Sequence, residues 1–161
     1  MNINLLQNKW LNNQLIGLDL IYDCSGLIRF IDIGFIKNSQ LTHSYQKEYF
    51  LTYEGDTTLN TLLKGNDDIW SEIQINNKVF VDDKHIVLCG EGEMGSDGFI
   101  VKMDINNNIK WFLYSTTSNP FINIKQKENN IYIQSTSNFY IVLNLINKDI
   151  FIHNGNTLSY K

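Results

Sequence analysis

The sequence contains no alanine, one proline (Pro120) and one arginine (Arg29). Alanine is the strongest helix former, so a chain without it builds long helices only against its own composition. A single proline leaves nearly every apolar run free to pair as a strand. No run approaches the roughly 18 apolar residues of a membrane helix. Met1–Trp10 lacks the basic start and apolar centre of a secretory signal, so we expect a cytoplasmic protein with no membrane partner. Cysteine is scarce. Cys24 and Cys89 cannot build a disulfide framework or a four-cysteine zinc site. Both sit in apolar, strand-like surroundings and are expected to be buried free thiols, with one disulfide as the alternative. His43, His85 and His153 share no metal-ligand spacing with one another or with a cysteine.

In place of the missing residues stand 22 asparagines and 22 isoleucines. Isoleucine, tyrosine and phenylalanine suit a pleated sheet, and asparagine spacers suit tight turns. With 43% hydrophobic residues, the 161-residue chain can bury a core as one domain, 1–161. The expected fold is all-β: antiparallel meanders in a β-sandwich or a partial propeller-like arrangement, with at most one or two short helices. Asparagine, isoleucine and lysine also have A/T-rich codons, so the gene fits an A+T-rich bacterial genome or mobile cargo.

Residues 1–13 read as a short helix or an edge strand. Leu15 to Tyr22, Leu27 to Ile36 and Tyr45 to Tyr53 read as strands, with a turn at Cys24-Ser25-Gly26. Asp56 can cap a short helix over Thr57–Leu63 that Gly65 would end. Ile69 to Ile75 alternates apolar and polar residues, and Asn76-Asn77 reads as a turn. Strands are then expected at Val79–Val81, Ile86–Cys89, Phe99–Met103, Ile109–Tyr114, Ile122–Ile124, Ile131–Gln134, Phe139–Leu145 and Ile150–His153. Their spacing of about ten residues marks an all-β chain.

An internal repeat runs through the second half. Phe99-Ile100-Val101, Ile105-Asn106 and Ile109 match Tyr140-Ile141-Val142, Ile146-Asn147 and Ile150, each 41 residues on. A period of this size with several strands per unit is a propeller-blade signature. Residues 80–151, and Gly95–Asp104 with Asn108–Trp111 above all, resemble β-propeller blades of a DGFIVKxDxNGNIxW pattern. Asn107 stands where that pattern has a turn glycine. The resemblance implies a structural or interaction module that binds a protein or a glycan.

Two motifs spell familiar chemistry in the wrong context. Gly90-Glu91-Gly92-Glu93-Met94-Gly95 reads G-x-G-x-x-G, but a dinucleotide fingerprint must open a helix that holds pyrophosphate. Here a new strand follows, and Glu91, Glu93 and Asp97 would repel phosphate. Asp104-Ile105-Asn106-Asn107-Asn108 begins like a calcium loop, yet Ile109 and Ser115 occupy the positions that need glycine and glutamate. We expect a hairpin turn there, no cofactor, no metal and no catalytic residue.

Charge is uneven. From Glu54 to Asp104 there are eleven acids and four lysines; the rest has six acids and nine bases. An acidic middle argues against direct nucleic-acid binding and suits a basic partner, or serves as a solvated face. In size, acidity, β character and composition the chain resembles the immunity proteins paired with polymorphic toxins, including those of contact-dependent growth inhibition. That resemblance implies a monomer that occludes the basic active site of a cognate toxin, often a nuclease, in a heterocomplex. The expected partner-binding residues are Asp67, Asp68, Trp70, Glu72, Glu91, Glu93 and Asp97. Trp70, set among acids, has the composition of an interface anchor.

Overall fold

The computed structural model describes residues 2–38 and 46–155. Its central layer is a seven-stranded antiparallel sheet. The strand order is β4 (Gln46–Thr58), β3 (Leu27–Asn38), β2 (Leu20–Asp23), β9 (Ile109–Ser115), β8 (Gly98–Asp104), β7 (His85–Glu91) and β6 (Gln74–Phe80). A four-stranded meander, β10 (Phe121–Lys127), β11 (Asn130–Ser135), β12 (Phe139–Asn144) and β13 (Ile150–Asn154), packs on one face. The other face is covered by α1 (Asn2–Leu11), α2 (Leu59–Leu63) and a two-stranded ribbon of β1 (Gln14–Ile16) and β5 (Trp70–Glu72). The protein is therefore all-β with antiparallel meanders and two short helices. No helix among the described residues is long and apolar enough to cross a membrane.

Burial on both faces explains why β8 is almost continuously apolar. Successive strand residues point to opposite faces. Phe99, Val101 and Met103 enter the core shared with the helices, with Leu6, Trp10, Leu59 and Leu62. Ile100 enters the core between the sheets, with Leu113, Phe121, Phe139 and Ile141. Leu6 and Trp10 lie one helical turn apart, which aims both at the sheet. Gln7 anchors the same helix: its Nε2 donates to the Asn107 carbonyl, and its Oε1 accepts from Ile109 N at 3.0 Å.

Asparagine side chains stitch the two sheets together at both edges. Asn76 Nδ2 on β6 donates to the Phe121 carbonyl at 3.0 Å, and Asn77 Nδ2 donates to Asn123 Oδ1 at 3.0 Å. At the opposite edge Asn154 Nδ2 donates to the Tyr49 carbonyl at 3.0 Å, while its Oδ1 accepts from Tyr49 N at 2.7 Å. Edge strands that would expose unpaired backbone groups are thus partly capped. Asparagine also sets turns: Asn13, Asn107, Asn119 and Asn138 all have positive φ, a conformation this residue tolerates.

Several sequence expectations need correction. Leu15 to Tyr22 is not one strand. It breaks at Gly17, whose missing side chain lets Ser71 close in, so β1 leaves the main sheet to pair with β5. Asn76-Asn77 is not a turn but a bulge inside β6, because both amides are drawn to β10. Asp56 does not cap α2. It lies in β4 opposite Arg29, and Thr58 Oγ1 caps the helix by accepting from Thr61 N at 3.2 Å. Cys24 is exposed in the turn after β2 rather than buried; Cys89 is buried, and both thiols are free. Tyr45 and His43 lie outside the described residues.

Candidate functional site

Three of the predicted acidic residues, Glu72, Glu91 and Glu93, lie where β5, the end of β7 and the loop before β8 meet. In the ribbon, Glu72 pairs with Gln14, whose Nε2 donates to Glu72 Oε1 at 2.9 Å. Glu93 Oε1 accepts from Glu72 N at 2.9 Å, and Glu93 N donates to Ser71 Oγ at 3.2 Å. Glu91 sits opposite Gln74 at the end of β7. The fold thus brings Glu72, Glu91 and Glu93 together from separate segments. Glu72 and Glu93 keep exposed carboxylates, as do Asp67 and Asp68 in the loop leading into β5.

Trp70 is only half exposed. It packs on the helix-side core, and Lys9 Nζ lies 5.2 Å from its ring centroid. The indole therefore holds α1 to the ribbon through apolar contact and a cation–π attraction. Asp97 is set apart from the surface acids, at 4% exposure. Its Oδ2 accepts from Tyr114 Oη, which also lies 2.8 Å from Ser71 Oγ, while its Oδ1 has no partner among the described residues. Burial and the neighbouring Asp97 carboxylate push the Tyr114 phenol well above its ordinary value, so it stays a donor. Asp97 braces the loop from inside and presents no carboxylate to a partner.

Two of the three glycines of the G-x-G-x-x-G run, Gly90 and Gly92, serve this packing. A side chain at Gly90 would strike the Gln74 carbonyl and Phe99; one at Gly92 would strike the Tyr114 hydroxyl and Asp97. The backbone comes close to protein atoms there, which uses the space a phosphate would need. Asp104 likewise shapes a turn: Oδ1 accepts from Asn106 N at 2.8 Å and Asn108 N at 3.0 Å, and Oδ2 accepts from Asn108 Nδ2 at 3.1 Å. Those bonds, the Asn108 N–H foremost, hold its carboxyl below the ordinary carboxylate range. In the repeated segment Asn144 Oδ1 plays the same part, accepting from Ile146 N and Asn147 N. His85 bonds to Asp82, with Nδ1 3.1 Å from the carboxylate. Among the described residues no group of three or more His, Cys, Asp or Glu side chains is placed to hold a metal ion.

A comparison with protein-family models, with curated proteins and with solved structures finds no match.

Sequence reading missed a second feature at the far end of the β7–β9 meander. A cleft of about 660 Å³ opens between the two sheets, lined by Arg29, Lys102, Lys110, Trp111 and Lys148 among others. The signal was present in the alternation. Lys102 shares the inner face with Ile100, and Trp111 shares it with Leu113, so a cation and an indole occupy positions where core residues were due.

Proposed function

We propose that this protein is an immunity protein that binds a basic bacterial toxin of the nuclease type and occludes its active site with the acidic end of the fold. The observation that carries the reading is the meeting of Glu72 with the Glu91–Glu93 segment, where Glu93 Oε1 accepts from Glu72 N, with exposed Asp67 and Asp68 in the loop that leads into the same strand. A surface held by its own hydrogen bonds loses little freedom on binding. Concentrated carboxylates accelerate encounter with a cationic partner and reject acidic ones. Occlusion needs no catalytic residue, so on this reading the protein is not an enzyme. Half-exposed Trp70 at the base of the ribbon supplies apolar area beside the charges.

The test is co-expression in bacteria with the polypeptide encoded immediately upstream. Restored growth and a complex that co-purifies are expected. Changing Asp67, Asp68 and Glu72 together to lysine should weaken the complex about tenfold or more. Normal growth in the absence of this chain, or toxicity it fails to relieve, would contradict the immunity reading and leave an interaction module with a different partner.

A further inference from the structure

The cleft between the sheets combines an apolar floor with several cations. Its floor is apolar, formed by Ile21 from the central sheet, Leu143 and Ile150 from the four-stranded sheet, and Leu145 from the β12–β13 turn. Its cations come from both sheets. Arg29, Lys102 and Lys110 rise from β3, β8 and β9, while Lys148 reaches in from the β12–β13 turn. Against these four stand the lining carboxylates Asp23 and Asp149. Asp23 is occupied locally, accepting from Ser25 N at 2.9 Å and from the Ser25 hydroxyl.

Two details indicate what kind of anion would suit it. First, the cations are placed by the fold. Lys102 is half-buried and pairs across strands with Trp111, so the two side chains leave neighbouring positions on the same face of the sheet. Lys110 is the extra residue of a bulge, where the register moves from Lys102–Trp111 to Met103–Ile109. Bulges re-aim side chains. Second, two cations have carboxylate partners only near the limit of ion-pair distance: Arg29 Nε is 3.9 Å from Asp56, and Lys110 Nζ is 3.7 Å from Asp104. Pairs of this kind contribute little and yield readily to a stronger anion. Among the described residues Lys102 and Lys148 have no carboxylate at ion-pair distance. Flat rings complete the wall, with Trp111 half-buried and the Arg29 guanidinium 5.4 Å from the Tyr53 ring centroid.

We propose that this cleft binds a nucleoside polyphosphate, its base against Trp111 and the apolar floor and its phosphates among Lys102, Lys110, Lys148 and Arg29. The volume lies within the usual range for small-ligand sites. Cations from opposite walls suit a chain of two or more phosphates better than one. The site lies at the other end of the meander from the acidic face, and neither proposal depends on the other.

The experiment is calorimetric titration of the full chain with ADP, GDP, UDP and CDP, alongside pyrophosphate and a short single-stranded oligonucleotide, with tryptophan fluorescence as a second readout. At least one nucleotide should bind saturably, about tenfold tighter than pyrophosphate because of the stacked base. Lys102→Gln and Lys148→Gln should each weaken it about tenfold. Trp111→Phe should abolish the fluorescence change, and the Asp67, Asp68 and Glu72 reversal should leave affinity unaltered. Lys148 lies in an exposed turn, so its variant tests the site without disturbing the core. The proposal is overturned if no nucleotide saturates the protein, if pyrophosphate binds as tightly, if the oligonucleotide binds more tightly, or if neither lysine variant loses affinity.

Discussion

At one end of the β7–β9 meander, Gly90, Gly92 and Gly98 carry no side chains, and Gln74, Tyr114 and Asn119 close against them. At the other end, about 20 Å away along seven-residue strands, the same meander carries Lys102, Lys110 and Trp111 around an open cleft. The first end is solid, with its carboxylates standing outside it. The second is hollow, with its cations lining the opening. A solid charged end suits a broad partner surface, since its groups are held from behind and face outward. A hollow end suits a small ligand, since walls of low dielectric strengthen each contact inside it. One sheet can serve both ends because strand alternation sets the two faces independently at every rung.

The sharpest way to break this contrast is to fill the solid end. Gly90→Ala places a methyl against the Gln74 carbonyl, a backbone atom that cannot step aside. We expect a loss of about 3 kcal/mol in urea denaturation. Gly26→Ala at the cleft end meets open space and suffers only its positive φ of 90°, which should cost about 1 kcal/mol. Equal losses would show that the two ends are packed alike.

A smaller effect follows from the buried hydroxyl. Tyr114→Phe strips Asp97 of its hydrogen-bond donor and leaves both carboxylate oxygens unpartnered among the described residues. The expected cost is about 2 kcal/mol. Lys148→Gln, its counterpart at the cleft, should change stability by no more than about 0.5 kcal/mol.

A thiol at each end sharpens the comparison through pH. Burial pushes the Cys89 thiol up to about 12, whereas Cys24 is exposed. Between the ordinary value of 9.0 and about 12 the unfolded chain releases this proton and the folded chain keeps it. Stability should therefore be unaffected by Cys89 below pH 9.0 and fall as pH rises beyond it. Under native conditions a thiol reagent should modify Cys24 promptly and Cys89 only as the sheet opens. Two equally fast thiols would contradict the packed end.

The smallest effect is expected at Asp104. Its carboxyl is held below the ordinary 3.8, so its stabilising contribution is present above that pH and is lost as pH falls through the folded value. Asp104→Asn should destabilise the protein slightly at neutral pH and hardly at all in strong acid, as read from paired thermal melts.

The meander was legible because its signals are local. Ile86–Cys89, Phe99–Met103 and Ile109–Tyr114 extend by at most two residues at either end to reach β7, β8 and β9. The first half was less legible because distant residues decide it. Nothing near Gly17 foretells that Ser71 will need its space, and nothing near Asn76-Asn77 foretells the carbonyl of Phe121. For the same reason the acidic residues could be named but not sorted. In sequence Asp97 reads as one more acid of the same loop as Glu93, and only the fold, which brings Tyr114 against it, sets it apart. The cleft depends on two sheets meeting, so its cations stayed scattered along the chain until the fold assembled them.

The most direct test of the central claim is the affinity of the purified protein for the upstream-encoded polypeptide, measured beside the variant in which Asp67, Asp68 and Glu72 are lysine. The account predicts a tight complex for the wild type, a loss of about tenfold or more for the variant at low salt, and a smaller gap at high salt as the charges are screened. Absence of a complex, or equal affinities at every salt concentration, would contradict it.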